Sequence, residues 1–176
     1  MTKYASFISL YDHYFTPSKE KKLRLLEIGV QDGTSLNWFR RNYPNWKVVG
    51  LDINEDSRGE DIVIGDQSDV ELLYKLGSFD IVIDDGSHRM SDQITSFRTL
   101  FRLMNKGGIY AIEDIHTSYW PVFKDLGRET TVEYLKRHID NIQNLADSRS
   151  NSNHKTENPL GITSIHFYPS IVFILK

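Results

Sequence analysis

The strongest constraint on how this chain can fold is a pair of apolar runs that each end abruptly in acidic residues. The first occupies residues 79–85 and the second residues 109–114. In an open α/β sheet, buried strands end in this way where the chain enters the crevice that holds ligands. Two neighbouring strand ends would bring five titratable side chains together: Asp84, Asp85, His88, Glu113 and Asp114. Because so many carboxylates repel one another unless a cation or protons neutralise them, the first hypothesis is a metal site.

The rest of the chain alternates between short apolar runs and helical patterns. Strands are predicted at residues 23–28, 46–53, 61–65, 79–83 and 109–112, and helices at residues 35–43, 69–76, 91–104 and 130–145. This alternation predicts an α/β domain with a parallel sheet and right-handed crossovers. Two more apolar runs, at residues 162–168 and 171–175, flank a Pro-Ser turn and predict a closing β-hairpin.

Composition narrows the class of protein. The 176 residues fit one domain, in which residues 1–22 would form an N-terminal helix or lid and residues 147–158 a flexible loop. The absence of cysteine excludes disulfides, thiolate metal sites and cysteine nucleophiles. A net charge of −3 gives no sign of a nucleic-acid surface. No apolar run approaches the roughly 20 residues that span a bilayer. We therefore expect a cytoplasmic protein with neither nucleic-acid nor membrane partners.

A glycine-rich loop joins the first predicted strand to the first predicted helix. It carries Glu27, Gly29 and Gly33, and Ser35 follows at the start of the helix. Glycine there permits positive φ and close approach of a ligand to the backbone. Asp52 ends the next strand, about 20 residues on, which is the usual distance for an acid that binds ribose hydroxyls. These residues predict a nucleotide-type cofactor site.

Two cofactors compete for this loop. A dinucleotide fingerprint needs its second glycine two residues after the first, and Gln31 stands there instead. The preceding Glu27 and the spacing of the two glycines suit a cofactor with an amino-acid end and no phosphate, which is S-adenosylmethionine (SAM). A tight turn without a ligand is the alternative, and an NAD-type oxidoreductase is the rival enzyme class.

Three more polar residues are predicted to contribute to the cofactor site. Asp66 and Gln67 follow the third strand, where a carboxylate or amide can accept a hydrogen bond from the adenine amino group. Helix capping through Asp66 or Asp69 explains the same spacing equally well. Asp84 and Asp85 must point to opposite sides of an extended chain, so we expect Asp84 to face the cofactor or to cap the next helix.

The chain resembles class I SAM-dependent methyltransferases, and more narrowly the metal-dependent sugar O-methyltransferases of macrolide biosynthesis and the cephalosporin hydroxylase-like proteins. The motifs that carry the resemblance lie at residues 26–30, 50–53, 65–69, 80–88, 107–114 and 117–121. The string Asp84-Asp85-Gly86-Ser87-His88 with the later acid pair is the specific part, whereas the glycine loop is generic.

The resemblance implies a Rossmann-like, seven-stranded, mostly parallel sheet with helices on both faces and an antiparallel last strand, which agrees with the predicted hairpin. It implies Mg²⁺ ligands at Asp85, Glu113 and Asp114, with His88 as general base. The macrolide enzymes carry a further N-terminal region, and here only about 20 residues precede the first strand. Their sugar specificity is therefore not carried over, and the expected acceptor is a small-molecule hydroxyl on a sugar or vicinal diol.

Several roles stay open at this point. His116 follows the second acid pair closely and rivals His88 as the base. The aromatic residues near the N-terminus repeat at helical spacing, which favours an amphipathic helix packed on the domain, although a lid or a contact within a homo-oligomer would show the same pattern. Tyr119, Trp120 and Phe123 would form either an apolar wall over the substrate or ordinary packing. A SAM-binding protein without catalysis is the non-enzymatic alternative.

Overall fold

The computed structural model describes residues 7–57, 59–125, 129–144 and 158–176. Seven strands form a single sheet in the order β3-β2-β1-β4-β5-β7-β6. The strands are β1 Arg24–Ile28, β2 Lys47–Asp52, β3 Ile62–Ile64, β4 Ile81–Asp84, β5 Ile109–Glu113, β6 Ser164–Tyr168 and β7 Ile171–Leu175. The first five run parallel, and β7 and β6 pair antiparallel. The predicted mostly parallel sheet and closing hairpin are confirmed.

Five α-helices cover the two faces of this sheet. They are α1 Ile8–Phe15, α2 Thr34–Asn42, α3 Val70–Leu76, α4 Met90–Leu103 and α5 Thr131–Asn144. Side chains of α1 and α2 pack on one face of the sheet, and those of α3, α4 and α5 pack on the other. The apolar burial on both faces explains why the central strands read as continuous hydrophobic runs.

Alternation along the strands decides which face each side chain joins. In β4, Ile81 and Ile83 pack with the aromatic residues of α1 and α2, whereas Val82 packs with α4. The same rule sends Asp84 to the α4 face and directs the next residue, Asp85, to the α1 face. A period of two residues therefore separates the adjacent carboxylates onto different sides of the sheet.

Register brings the predicted site together. Ile28 of β1, Asp84 of β4 and Ile112 of β5 lie side by side, so the residues that follow them emerge at the same edge. Asp69 caps α3 by accepting from the backbone amides of Glu71 and Leu72, as predicted. The predicted loop at residues 147–158 lies outside the described residues, apart from its last position.

Candidate functional site

An acidic cluster lies where β4 and β5 end. Asp85, His88 and Asp114 each offer one ligand atom, and these atoms lie within 4.8 Å of one another. His88 stands between the two acids, with its Nε2 3.9 Å from Asp85 Oδ1 and 3.8 Å from Asp114 Oδ2. The structure therefore brings together three of the five titratable residues that the sequence placed at this edge.

Two members of the cluster have strained backbones. His88 has a φ of 58° and Asp114 a φ of 48°, in the left-handed region that residues other than glycine rarely adopt. Such conformations cost on the order of 1–3 kcal/mol, and they concentrate at sites where geometry matters more than local stability. With these backbone conformations, Nε2 of His88 lies 3.8 Å from Oδ2 of Asp114.

His116 is placed differently from His88. Its Nδ1 lies 2.6 Å from the hydroxyl of Ser170, and that hydroxyl donates to Asp114 Oδ1 over 3.3 Å. Its ring packs edge-on against Trp120, with 4.8 Å between centroids. His116 therefore reaches the acidic cluster through a serine, whereas His88 lies inside it.

Glu113, the remaining predicted metal ligand, is buried on the α1 face with 5% of its surface exposed. It lies outside the compact group of three, and its Oε1 accepts a hydrogen bond from the hydroxyl of Tyr11 in α1. Burial, and then the negative charge of Glu113, raises the pKa of Tyr11 well above its usual value, so the hydroxyl is a donor at neutral pH. Glu27 and Asp85 act on the same hydroxyl in the same direction.

A cavity of about 340 Å³ opens beside the cluster at the ends of β1, β2 and β4. It is lined by four residues of the predicted cofactor set and by Asp85. The four are Gly29, Asp52, Asp66 and Gln67. Its volume falls in the range of small-molecule sites. Asp85 is thus shared between the cavity and the acidic cluster.

The glycine loop is shaped by close contact with β4. Gly29 has a φ of 86°, and a Cβ there would lie 2.2 Å from the carbonyl oxygen of Asp85. No larger residue fits, because the obstacle is backbone. Asp52 then holds the loop, since its Oδ2 accepts from the amides of Val30 and Gln31 at 2.7 and 2.9 Å. Burial raises the pKa of Asp52, but these bonds and one from Asn54 outweigh it and leave the pKa below its usual value.

The structure places Asp84 at neither of the two positions predicted for it, since it neither lines the cavity nor caps α4. Its carboxylate is fully buried and accepts from Ser96 at 2.5 Å, from Tyr110 at 3.0 Å and from Gln67 Nε2 at 3.1 Å. Burial raises the pKa of Asp84, and the hydroxyl and amide donors oppose that rise. Its link to the cavity is indirect: it orients Gln67, whose Oε1 accepts from the amide of Ser87 at 2.7 Å.

Three other predicted cofactor residues lie outside the cavity lining. Glu27 is buried on the α1 face, Gly33 lies just before α2 in a left-handed conformation, and Ser35 lies in the first turn of α2. Conversely, several residues to which sequence reasoning assigned no cofactor contact also line the cavity, among them Ile53, Ser87, Arg89 and Asp92. The clearest sequence signal among them was Ile53, an apolar residue directly after Asp52. In the structure this residue is 70% exposed.

The donor set fits a hard divalent cation. Carboxylate oxygens of Asp85 and Asp114 lie within reach of one ion, and Mg²⁺ is bound in proteins through one or two such carboxylates with other positions left for water or substrate. The nitrogen of His88 in the same group would also suit a transition metal. The edge therefore combines a candidate cation site with a cofactor-sized cavity.

A sheet of this order, with a cavity at the carboxyl ends of β1 and β2, defines a cofactor-binding α/β domain of the Rossmann-like class. The chain belongs to the methyltransferase domain family, whose model matches residues 3–155. Among the residues that the structure describes, we find no helix with the length and apolar character needed to cross a membrane.

The chain is similar in sequence to proteins that are named as O-methyltransferases. The 8-demethyl-8-alpha-L-rhamnosyl tetracenomycin-C 2'-O-methyltransferase of Streptomyces olivaceus is 33% identical over 97% of this chain and 50% of its own length. The mycinamicin VI 2''-O-methyltransferase of Micromonospora griseorubida is 35% identical over 97% of this chain and 48% of its own. The chain therefore spans about half the length of the curated relatives it matches.

A solved structure agrees with the same family. The MycE methyltransferase of the mycinamycin biosynthetic pathway, in complex with Mg and SAH, superimposes with a TM-score of 0.83 and 34% identity. The match covers 96% of this chain and 49% of that one. The predicted resemblance to macrolide sugar O-methyltransferases and the predicted fold class are confirmed.

Proposed function

We propose that this domain transfers a methyl group from SAM to a hydroxyl of a sugar or another vicinal-diol small molecule, with help from Mg²⁺. The observation that carries the proposal is the position of Asp85. This residue lines the cofactor-sized cavity and also belongs to the acidic cluster with His88 and Asp114. One side chain thus joins a cofactor site to a cation site. Family membership and the named activities of the relatives support the same reaction.

The cofactor would lie in the cavity at the ends of β1, β2 and β4. Gly29 and the loop fixed by Asp52 admit it close to the backbone, while Asp66 and Gln67 line the part of the cavity that suits an adenine. SAM supplies a methyl group that its sulfonium already activates. The protein therefore needs to exclude water, hold the acceptor in line and take one proton.

The cation would be held by Asp85 and Asp114, with Glu113 next to them. When bound, Mg²⁺ lowers the pKa of a coordinated hydroxyl and orients it. Glu113 is the last residue of β5, and Asp85 and Asp114 directly follow β4 and β5, so the sheet brings all three to the same edge. They would therefore hold a hydroxyl acceptor at one edge of the cavity.

His88 would remove the proton from the acceptor hydroxyl. Its Nε2 lies within 4 Å of both acids, and a neutral imidazole can accept a proton near physiological pH. The ring packs edge-on against Phe123, with 5.9 Å between centroids, which fixes its tilt. The nearby Tyr119 and Trp120 are 71% and 49% exposed, and they offer apolar contact area for an acceptor.

Titration calorimetry tests this proposal, with SAM and with NAD in parallel and each with and without Mg²⁺. We expect SAM to bind in the micromolar range and NAD not to bind, because Gln31 occupies the position where a dinucleotide loop needs glycine. Methyl transfer to sugar and polyol acceptors should stop in excess chelator and return with Mg²⁺. Binding of NAD, or full turnover in chelator, would contradict the proposal. SAM binding with no transfer to any acceptor would favour the non-catalytic alternative.

A further inference from the structure

Tyr11 connects the N-terminal helix to the predicted metal site. It is fully buried, and its hydroxyl donates to Oε1 of Glu113, 102 residues away in the sequence. Its ring is clamped by Phe15, Phe39 and Phe173, with centroids 5.3, 5.7 and 6.1 Å away. Because these rings prevent the phenol from moving, the hydrogen bond restricts the carboxylate of Glu113 and does not shift Tyr11.

The surroundings explain why a donor is needed there. Alternation along β1 and β5 sends Glu27 and Glu113 to the α1 face, the side to which Asp85 also turns. Glu27 and Glu113 are 3% and 5% exposed, so their charges are poorly screened by water. A hydroxyl that donates into such a group forms a charge-assisted bond, which is stronger than a bond between neutral partners.

We propose that Tyr11 is a positioning residue for the cation site: its hydroxyl limits how the carboxylate of Glu113 can turn and thereby sets the affinity of the site for a divalent cation. The proposal rests on the proposed function, since it takes Glu113 as part of that site. Partners that orient ligand carboxylates typically change metal affinity by 10- to 100-fold when they are removed. It follows that α1 does more than cover the sheet.

Tyr14 provides a matched control on the same helix. Its hydroxyl lies 2.5 Å from Nδ1 of His166 and 3.0 Å from the hydroxyl of Tyr168, and its ring stacks on Phe173 at 4.0 Å. Tyr14→Phe and Tyr11→Phe each remove one hydroxyl from α1 and leave the ring in place. They differ in whether that hydroxyl reaches an acid at the carboxyl edge of the sheet.

The test measures the affinity of the whole chain for Mg²⁺ by calorimetry, and for Mn²⁺ by the loss of its free electron-paramagnetic-resonance signal. We expect Tyr11→Phe to weaken both by about 10- to 100-fold, and Tyr14→Phe to leave both unchanged. SAM affinity should change little in both variants. The melting temperature of Tyr11→Phe should fall, because the buried carboxylate of Glu113 loses this donor, so the affinities are compared at a temperature where both variants are folded. Wild-type or tighter cation affinity in Tyr11→Phe would overturn the role given to Tyr11, and so would an equal loss of cation affinity in Tyr14→Phe. None of these results would affect the proposed function. A wild-type protein that binds SAM but neither cation would overturn the metal part of the proposed function, and this inference with it.

Discussion

Asp84 and Asp85 are neighbours in the chain, yet their surroundings are opposite. Asp84 is fully buried on the α4 face and accepts from Ser96, Tyr110 and Gln67. Asp85 is 18% exposed at its side chain, lines the cavity and lies beside His88. The carboxylate of Asp84 is surrounded by hydroxyl and amide donors, whereas that of Asp85 lines the cavity beside an imidazole and a second acid, where a ligand can reach it.

The two environments predict different consequences of the same change. Replacing a buried acceptor leaves buried donors without a partner, which destabilises the fold. Replacing a carboxylate at an open edge relieves repulsion among the acids there and costs little stability. Function and stability should therefore separate between these adjacent positions.

The largest expected effect is on Asp85. We expect Asp85→Asn to lower turnover on the order of 10³-fold, because the interactions of a bound cation with a developing charge contribute several kcal/mol to the barrier. Its urea midpoint should stay close to the wild-type value. Steady-state methyl transfer with saturating Mg²⁺ checks the first expectation, and urea denaturation checks the second. Turnover near wild type would remove Asp85 from the site.

The second-largest effect is expected at His88, because a general base beside the acids would make the cluster catalytic as well as cation-binding. We expect His88→Ala to retain SAM affinity and to lose turnover on the order of 10²-fold, the usual contribution of a general base. His116→Ala is the matched control, because that imidazole contacts Ser170, whose hydroxyl donates to Asp114. If the His116 variant lost more turnover than the His88 variant, the base would have to be reassigned to His116.

Asp84 should give the converse result. We expect Asp84→Asn to lower the free energy of unfolding by about 2 kcal/mol, because an amide NH₂ would face donors that now meet a carboxylate oxygen. Loss of turnover should be smaller than in Asp85→Asn and should come through weaker SAM binding, since Gln67 loses its anchor. Urea denaturation and calorimetry with SAM measure the two parts. An Asp84→Asn variant that is as stable as wild type but inactive would show that Asp84 acts in catalysis and not in folding.

Local pattern was enough to predict part of this contrast. The apolar runs predicted the strands and the hairpin, and the period of two residues predicted that Asp84 and Asp85 point apart. The partners of Asp84 could not be predicted, because Ser96 and Tyr110 lie 12 and 26 residues away, and periodicity does not specify which side chains meet across elements. The structure therefore places Asp84 outside the lining of the cavity that it was expected to face.

Tyr11 shows the same limit at greater distance. The aromatic spacing near the N-terminus predicted an amphipathic helix, and α1 confirms a helix there. That spacing contains no information on the strand end that the helix would reach, since the contact with Glu113 depends on strand order and on the angle at which α1 packs. The roles of Asp85, His88, Glu113 and Asp114 likewise stay predictions, although the structure now places three of them together.

Asp52 combines features of Asp84 and Asp85, and we expect the smallest effect from its substitution. It lines the cavity as Asp85 does, yet backbone donors hold it as side chains hold Asp84. Because its folded pKa is lowered, its stabilising contribution is present above the unfolded value of about 3.9 and is lost as the pH falls through the folded pKa. We expect Asp52→Asn to cost about 0.5–1 kcal/mol at pH 7, since solvent screens part of the effect. Stability measured from pH 7 to pH 3 should therefore fall less steeply in the variant, and parallel curves would show that the loop, rather than the charge, determines the difference.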